Sequence, residues 1–351
     1  MQVTTVGLDL AQTIFHVHGV TEDGEVAFNR PLRRAQVLAF FDRLGPCLVG
    51  VEACASSHHW ARELSKLGHS VRLMPPMYVK AYVKRGKSDA VDAEAICEAV
   101  TRPTMRFVEI KSEEQQALLS LHRARDFVVR QRTQLINMLR SLAAEFGITI
   151  ARGVARAIDF AKGIIEGQQT DLPELAQDVL RVLSRQLVDL HNRLGWYEIT
   201  LRIEARLSRQ AQLLQTIPGV GPVTASAVAA AIGSGHRFRR GRAFAAWLGL
   251  TPRNYSSGGK ERLGKITKMG ERDLRQLIVV AMTSRVRQLA NHPDRADPWR
   301  ADLLRRKPAR LATVAMANSA RPPATGPRAG ANARIMWAVL TKNEPYKPHA
   351  A

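Results

Sequence analysis

The sequence lacks the features that mark disulfide-bonded and membrane-spanning proteins. Its three cysteines, Cys47, Cys54 and Cys97, include no CxxC pair, which excludes a disulfide framework. No apolar run approaches the roughly 18 residues that a membrane span needs. The N-terminal residues lack a basic segment and carry Asp9 within a strand-like pattern, so we expect no signal peptide. Together these absences predict a cytoplasmic protein with no membrane partner.

Acidic residues are also scarce relative to basic ones. The 351-residue chain has 52 Lys and Arg against 31 Asp and Glu, a formal net charge of +21 and a pI near 10.8. Such an excess favours a polyanionic partner, DNA or RNA, because basic side chains neutralise phosphates and release their counterions. A membrane surface is the weaker interpretation, since the chain has no long basic amphipathic segment with an aromatic face.

Residues 1–110 alternate the apolar periods of strands and helices. Three strands, helix, strand, helix, strand, helix is the predicted order, which is that of a ribonuclease-H-like domain. The sequence therefore predicts a mixed α/β fold for this segment, followed by mainly helical segments. The predicted strands cover 3–10, 14–20, 25–29, 47–51 and 70–74, and the predicted helices cover 34–44, 57–67 and 89–100.

Residues 111–212 predict a long helical arm. Leucines recur at helical or heptad-like steps within 113–146 and again within 171–212, as in a helical hairpin or coiled coil. The spacing leaves two roles open, a spacer between domains and a dimerisation element.

The C-terminal part of the chain changes character twice. Residues 213–287 predict a compact module with motifs of its own. Residues 288–351 interleave proline with arginine, alanine and glycine, so we expect a largely disordered tail with a short helical patch near 335–340.

Four carboxylates stand at positions that suggest a metal site. Asp9 and Glu52 each end an apolar strand, and Asp89 and Asp92 stand three apart at the start of a predicted helix that Ser88 would cap. Each carboxylate alone also fits a solvated position. Brought together without a cation, the four would repel one another and raise one another's pKa values. Two Mg²⁺ or Mn²⁺ ions would relieve the repulsion and could polarise a scissile phosphate.

The opening strand also invites comparison with another class of protein. Sugar kinases and actin-like ATPases begin with a similar strand that ends in an aspartate, as this chain does at Asp9. They also need glycine-rich phosphate loops in later strands, whereas residues 100–200 here predict long helices. The sequence therefore disfavours a kinase or an ATPase.

A second motif, Thr216-Ile-Pro-Gly-Val-Gly-Pro-Val-Thr-Ala225, predicts a helix-hairpin-helix element. Gly219 and Gly221 allow a tight turn whose backbone N–H groups can face a phosphate at a helix N-terminus. Such an element binds the DNA backbone without recognising a base sequence. A related packing role and an ordinary turn between two helices are the alternatives.

A third motif, Gly249-Leu-Thr-Pro-Arg-Asn-Tyr-Ser-Ser-Gly-Gly-Lys260, predicts a flexible polar loop. Basic residues follow it closely and could hold a phosphate beside a serine hydroxyl. A serine activated in this way can act as a covalent nucleophile. The candidate nucleic-acid-binding side chains of this module are Lys260, Arg262, Lys265, Lys268 and Arg275, with Arg272 beside them.

In this order and spacing, these motifs resemble the DEDD-type transposases of bacterial insertion sequences, the family related to the Piv DNA invertase. The resemblance spans residues 3–287 and implies a RuvC-like N-terminal domain, a coiled-coil arm and a C-terminal transposase domain. Carried over, Asp9, Glu52, Asp89 and Asp92 match the acidic tetrad. The family's serine precedes a glycine, a condition that Ser257 meets best, with Ser256 as the alternative.

The resemblance implies a mechanism and a set of partners. The serine attacks a DNA phosphate to give a phosphoserine link, assisted by metal at the tetrad. Family members are guided to donor and target DNA by a structured noncoding bridge RNA. They build a composite site from two protomers, which implies a homo-dimer or homo-tetramer, here in the bacterial cytoplasm at the nucleoid.

Two other functions remain to be separated from this one. A RuvC-like junction endonuclease would use the tetrad with activated water, and a catalytically silent protein would only bind nucleic acid. The serine motif favours the recombinase over the first, and the complete tetrad argues against the second. Beyond about residue 290 the family pattern is not continued, which would fit a frameshifted or truncated copy of such an enzyme.

Overall fold

The computed structural model describes residues 2–84, 86, 88–168, 171–256, 258–260, 262–318 and 332–347. These residues divide into two compact units, Met1–Glu113 and Glu114–Ala351, which are described separately.

The first unit is built around a five-stranded sheet of order β3-β2-β1-β4-β5. The pairs β1–β2 and β2–β3 are antiparallel, and the pairs β1–β4 and β4–β5 are parallel. The chain order of strands and helices is the one that the sequence predicted, except for the short helix α3, which the prediction did not include. The elements are β1 (Val3–Asp9), β2 (Ile14–Thr21), β3 (Val26–Arg33), α1 (Val37–Asp42), β4 (Leu48–Glu52), α2 (Ser57–Lys66), β5 (Ser70–Met74), α3 (Pro76–Val79) and α4 (Asp89–Val100).

The sheet buries a different set of side chains on each face. Val6 and Leu8 of β1 lie in one apolar core with Phe41 of α1 and Trp60 of α2. Because successive residues of a strand point to opposite faces, Gly7 and Asp9 point to the other face. Helix α4 covers that second face, where an added Cβ at Gly7 would contact the backbone of Ala93 and Cys97.

Strand β3 is longer than the sequence indicated. The prediction ended it at Asn29, whereas it continues through Pro31 to Arg33. It is an edge strand, so the missing N–H of Pro31 does not interrupt the ladder with β2. The predicted helix at 34–44 is correspondingly shorter, a 3₁₀ turn at Arg34–Gln36 followed by α1.

The second unit begins with three helices, α5 (Glu113–Glu145), α6 (Val154–Ile165) and α7 (Glu174–Leu207). One apolar cluster joins them, with Leu139 of α5, Ile158 of α6 and Leu187 of α7 buried together. The two long helices agree with the prediction, but α6, which the sequence reasoning missed, packs with them. Helix α7 ends at Leu207, and the Ser208 hydroxyl then caps the next helix by accepting from the Ala211 N–H at 3.3 Å.

The remaining elements of this unit are α8 (Arg209–Gln215), α9 (Pro222–Ile232), α10 (Gly241–Trp247), β6 (Pro252–Asn254), β7 (Leu263–Ile266), α11 (Arg272–Asn291), α12 (Pro298–Arg306), α13 (Ala309–Asn318) and α14 (Asn332–Lys342). The helices share a single large core against which Ile266 of β7 packs, whereas β6 is exposed. Strands β6 and β7 form an antiparallel hairpin. The core includes Leu214 of α8, Phe244 of α10, Ile278 of α11 and Met336 of α14.

The expectation of a largely disordered tail is wrong for the residues that the structure describes beyond 288. Pro298 is the first residue of α12, where a proline needs no N–H partner, so it begins a helix instead of breaking one. Leu303, Met316 and Leu340 then bury apolar faces in the common core. The predicted patch at 335–340 lies within α14. Residues 319–331 and 348–351 lie outside the described residues.

The finer division predicted from the sequence, with boundaries near 110, 212 and 287, stays a prediction. Among the described residues, no helix is both long and apolar enough to cross a membrane.

Candidate functional site

Two glycines let helix α4 of the first unit pack close to the central strands β1 and β4. Gly7 of β1 and Gly50 of β4 are register partners in the parallel ladder. A Cβ built on Gly7 would lie 2.1 Å from the Ala93 carbonyl oxygen, and one on Gly50 would lie 2.8 Å from Val100 Cβ. The absence of both side chains lets α4 pack against the sheet. Asp9 and Glu52 stand two residues further along the same strands and so share the face that α4 covers.

The N-terminal turn of α4 supplies two further carboxylates. Ser88 caps this helix as predicted, its hydroxyl accepting from the Val91 N–H at 3.4 Å. Asp89 and Asp92 then lie in the first turn, where the helix dipole favours negative charge. Carboxylate oxygens of Asp9, Asp89 and Asp92 all lie within 4.8 Å of one another. We call these three side chains the acidic cluster.

Burial and repulsion between carboxylates both raise the pKa values of Asp9 and Glu52. Burial raises the pKa of Asp9 above its ordinary value of 3.8, and the charges of Asp92 and Asp89 raise it further. Burial likewise raises the pKa of Glu52, with Asp9 and Asp92 adding to the rise. Glu52 is therefore within electrostatic reach of the acidic cluster, although it does not belong to the group of converging oxygens. Hard oxygen ligands at this spacing fit a divalent cation, whose charge would relieve the repulsion.

Glu94 does not belong to the acidic cluster. Its carboxylate pairs with the Lys84 ammonium at 2.5 Å, and this hydrogen bond lowers the pKa of Glu94.

The structure also brings to this site a histidine that the sequence analysis did not single out. His16 of β2 is the register partner of Asp9, and directly opposed side chains of an antiparallel pair lie about 5 Å apart at Cβ. His16 Nε2 lies 2.8 Å from Asn29 Oδ1 of β3, which holds the ring in place. The charge of His16 lowers the pKa of Asp9, against the larger effects that raise it. In the sequence, the signal for this contact is the pairing register of β1 and β2. The spacing of the two strands suggests that register but does not fix it.

The serine motif contains strand β6, and Ser256 lies in the described part of the segment that connects β6 to β7 in the second unit. The Tyr255 N–H donates to the Arg262 carbonyl at 2.9 Å, and the Arg262 N–H donates to Ser256 Oγ at 3.1 Å. The Ser256 N–H in turn donates to Asn254 Oδ1 at 2.9 Å. Ser256 therefore closes the loop through its own hydrogen bonds. Ser257, the predicted nucleophile, lies outside the described residues.

Two further glycines fix the base of this hairpin. A Cβ at Gly249 would lie 2.1 Å from the Met269 carbonyl oxygen, and one at Gly270 would lie 2.0 Å from the Trp247 carbonyl oxygen. The two chain segments therefore touch through their backbones, at φ values of +69° and +99° that favour glycine. The serine loop extends from a rigid base.

The predicted basic residues differ in their surroundings. Arg275 is half-buried and donates to the Leu248 carbonyl at 2.9 Å, so part of its guanidinium supports the base of the hairpin. The others are exposed and turn the surface around the serine loop positive: Lys260, Arg262, Lys265 and Lys268.

The Pro-Gly-Val-Gly-Pro motif connects α8 to α9, as a helix-hairpin-helix element requires. Gly219 has φ +89°, and a Cβ there would lie 2.9 Å from Met282 Cε of α11. This position serves turn geometry and packing. Gly221 precedes Pro222 at the N-terminus of α9, and an added Cβ would meet no atom within 4 Å. The turn borders an open groove of about 510 Å³ that also contacts Arg285 and Arg125.

Known protein families match both the part of the chain with the acidic cluster and the part with the serine motif. The family model for transposases of the IS116/IS110/IS902 family matches residues 211–297, and a DEDD transposase model of the IS110 type matches residues 6–147. A probable family 20 transposase of Pseudomonas aeruginosa is 46% identical over 349 residues, which cover 99% of this chain and 100% of the relative. The chain belongs to the IS110/IS116 family of DEDD transposases.

Other relatives agree with this membership. The transposase for insertion sequence element IS1111A of Coxiella burnetii is 37% identical over 98% of this chain and 92% of its own length. The pilin gene-inverting protein of Moraxella bovis is 27% identical over 63% of this chain and 60% of its own length, which bears out the predicted relation to a DNA invertase.

Membership of the family settles several predictions. The protein is a DNA transposase, an enzyme that cleaves and rejoins DNA, and its DEDD domain implies a RuvC-like fold and a divalent metal. The prediction that the chain leaves the family pattern after about residue 290 is wrong, because the match to the Pseudomonas relative covers 99% of the chain. Among the described residues of the tail, α12, α13 and α14 contribute to the core of the second unit.

Proposed function

We propose that this IS110-family transposase is a site-specific recombinase that uses Ser257 as a covalent nucleophile and Asp9, Glu52, Asp89 and Asp92 as a metal-binding tetrad. The observation that carries the proposal is the acidic cluster, in which three carboxylates converge within 4.8 Å on the face of the sheet that α4 covers. The matched transposase domain that contains the serine loop supports the second half of the site.

The covalent step exchanges one phosphodiester bond for another. The Ser257 oxygen forms a new bond to the DNA phosphorus while the bond from phosphorus to a sugar oxygen breaks. The serine proton leaves to solvent, and the departing sugar oxygen takes up a proton. Rejoining is the reverse attack by the hydroxyl of another DNA end, so phosphodiester bonds are conserved without an external energy source.

The residues around each group have separate tasks. The tetrad would hold Mg²⁺, or Mn²⁺ in its place, which supplies charge stabilisation at the reacting phosphate. Lys260, Arg262, Lys265 and Lys268 would neutralise the DNA backbone beside the serine loop, with Arg275 supporting the loop's base. Ser256 keeps the loop closed, which favours Ser257 over Ser256 as the nucleophile.

Guidance and assembly complete the proposal. A structured noncoding bridge RNA would select donor and target DNA by base pairing, in keeping with a net charge of +21. The turn that contains Gly219 and Gly221 would contact the nucleic-acid backbone without recognising a base sequence, with Gly219 shaping the turn and Gly221 bordering open space. A composite site would join the tetrad of one protomer to the serine of another in a homo-dimer or homo-tetramer. Helices α5 and α7 would form the coiled-coil arm of each protomer.

Trapping the covalent intermediate tests the nucleophile. The protein is incubated with its bridge RNA, labelled donor and target DNA and Mg²⁺, then denatured, and labelled protein is measured on a gel. We expect Ser257→Ala to abolish the protein–DNA adduct, while the matched variant Ser256→Ala retains it with a less stable loop. Cleavage that persists undiminished in Ser257→Ala would instead support a RuvC-like nuclease that activates water at the tetrad.

A further inference from the structure

An exposed tyrosine directly follows strand β6, beside the serines of the connecting segment. Tyr255 is 59% accessible to solvent, and tyrosines are enriched at binding interfaces, where a partner covers the ring. The Tyr255 N–H donates to the Arg262 carbonyl at 2.9 Å, and the Arg262 N–H donates to Ser256 Oγ at 3.1 Å. The backbone that carries the ring is therefore held to the β7 side of the hairpin by two hydrogen bonds.

A glycine on the neighbouring strand makes room for this ring. A Cβ built on Gly264 of β7 would lie 2.5 Å from Tyr255 Cε2 and 3.1 Å from Tyr255 Cδ2. A side chain at 264 would thus take the space that the ring occupies. The φ of Gly264 lies outside the left-handed region that favours glycine. The close approach of the ring is therefore the reason that the structure offers for a glycine at this position.

Arginines share the face of the hairpin on which the ring lies. Because side chains alternate along an extended chain, Arg253 lies on the same face as Tyr255, and Arg262 lies on the same face as Gly264. Both arginines are exposed, and Arg253 donates to the Thr267 carbonyl at 3.3 Å. An exposed aromatic ring among basic side chains fits single-stranded nucleic acid, because the ring stacks on a base while the cations neutralise phosphates.

The position of the ring in the chain shows which base it would meet. Inside a duplex the neighbouring bases cover both faces of a base, so a protein ring can stack only on a base that is unpaired or extruded. Ser257 follows Tyr255 by two positions, and two residues of chain extend over at most about 7 Å. A base that stacks on Tyr255 therefore belongs to a nucleotide beside the attacked phosphate.

We propose that Tyr255 stacks on an unpaired DNA base beside the phosphate that the serine attacks, and so positions that phosphate. The inference rests on the proposed function and adds a positioning residue to it. Fixing the reacting atoms in place accelerates the chemical step, whereas the basic side chains around the loop hold the DNA backbone in any case. Loss of the ring should therefore slow adduct formation more than it weakens DNA binding.

Photo-crosslinking detects the stacking without any strand cleavage. The Ser257→Ala protein is assembled with its bridge RNA and with DNA that carries 5-iododeoxyuridine beside the scissile phosphate, a base that links on irradiation to an aromatic ring lying against it. We expect mass spectrometry to find the link at Tyr255, and Gly264→Ala, whose methyl group displaces the ring, to lose most of it. Linkage only at other residues, or linkage to Tyr255 only from 5-iodouridine in the RNA, would overturn the proposal.

The rate of adduct formation at saturating DNA then separates the ring from its hydroxyl. In the background with Ser257 intact, we expect Tyr255→Ala to react about tenfold more slowly than wild type, because it loses one base–aromatic stack. Tyr255→Phe keeps the ring and should react at the wild-type rate. Since Tyr255 is exposed, thermal unfolding should be unchanged in both variants. A wild-type rate in Tyr255→Ala, or an equal loss in Tyr255→Phe, would contradict stacking by the ring.

Leu263→Ala is the matched control for these rates. Leu263 is 71% exposed and is the register partner of Asn254, so its side chain lies on the face of the hairpin opposite Tyr255. This variant should react like wild type, and a loss equal to that of Tyr255→Ala would show a general disturbance of the hairpin instead of stacking. Absence of any adduct in wild type would refute the proposed nucleophile, whereas the crosslink at Tyr255 does not depend on that serine.

Discussion

At the scale of single residues, the acidic cluster depends on a glycine that stands two positions before a carboxylate. This pattern occurs twice in the first unit. Gly7 precedes Asp9, and Gly50 precedes Glu52, with the two glycines paired across the ladder. Because each glycine has no Cβ, α4 can pack directly against the sheet at that position. The carboxylate that follows can then meet the N-terminus of that helix. In sequence terms the glycines are as much part of the site as the acids.

Substituting Gly7 tests this dependence. We expect Gly7→Ala to destabilise the protein by about 1–3 kcal/mol, because the new methyl group overlaps the backbone of Ala93 and Cys97. The shift of α4 should also weaken divalent-metal binding. Thermal unfolding and Mg²⁺ titration measure the two effects.

Gly45 offers a matched control for this substitution. An added Cβ there meets no atom within 4 Å, so Gly45→Ala should change neither the unfolding temperature nor the metal affinity. An unchanged Mg²⁺ affinity in a folded Gly7→Ala protein would contradict the role of close packing at this site.

At the scale of elements, the two glycines of the turn between α8 and α9 differ in their surroundings. Gly219 packs against the core, and Gly221 borders open space where a DNA phosphate could lie. Gly219 is held by its positive φ and by Met282, whereas Gly221 has open space around its Cα. A substitution at 221 can therefore change the charge of the turn without disturbing the core.

Gly221→Asp exploits that difference. Aspartate is a favourable N-cap and complements the dipole of α9, so we expect the unfolding temperature to be kept. DNA affinity should fall about tenfold at low salt, because the new carboxylate would face a backbone phosphate. The dependence of affinity on salt concentration, measured by fluorescence anisotropy, should become shallower. Gly221→Asn is the uncharged control, and an equal loss of affinity in both variants would argue against phosphate contact at this turn.

Elements with a regular apolar period could be predicted from the sequence, and those that depend on long-range pairing could not. Val6 and Leu8, and likewise Val49 and Val51, stand two residues apart, which is the period of a strand. This spacing predicts the central strands, and the structure buries these residues in one core. The end of β3 could not be predicted, because Pro31 is tolerated only once its strand is known to lie at the edge. His16 escaped attention for the same reason, since its partner Asp9 is fixed by register.

At the scale of the whole molecule, the C-terminal tail gave the largest difference between prediction and structure. Its proline content suggested disorder, but Pro298 begins a helix and Met336 is fully buried in the core of the second unit. Composition records how many prolines a segment has and not where they stand relative to its helices. Helix α13 packs against α11, α14 against α8 and α10, and α12 against α13, and no local pattern displays these contacts.

The stability of the whole chain should respond to pH and metal through the acidic cluster. The pKa values of Asp9 and Glu52 in the folded protein are raised above 3.8 and 4.5. The folded state therefore binds protons more tightly than the unfolded chain. Without metal, the contribution of these groups to the free energy of unfolding is highest below pH 3.8 and falls as the pH rises through their raised pKa values.

A bound cation should oppose that loss at neutral pH. At a Mg²⁺ concentration 100 times the dissociation constant, we expect about 2.7 kcal/mol of stabilisation at pH 7, and none at a pH where the carboxylates are protonated. Thermal unfolding with Mg²⁺ and with EDTA measures the difference. In Asp9→Asn the response to Mg²⁺ should be much smaller. An equal response in the variant would place the cation elsewhere.

The edge strand β3 has a consequence for a protein that collects at high local concentration along nucleic acid. An open strand edge can recruit the edge of a neighbouring molecule and seed aggregates. Pro31 breaks the row of N–H donors along this edge, and the exposed charges of Arg30 and Arg33 repel the same edge of another copy. We therefore expect the residue that made the strand hard to predict to disfavour pairing of this edge with another copy.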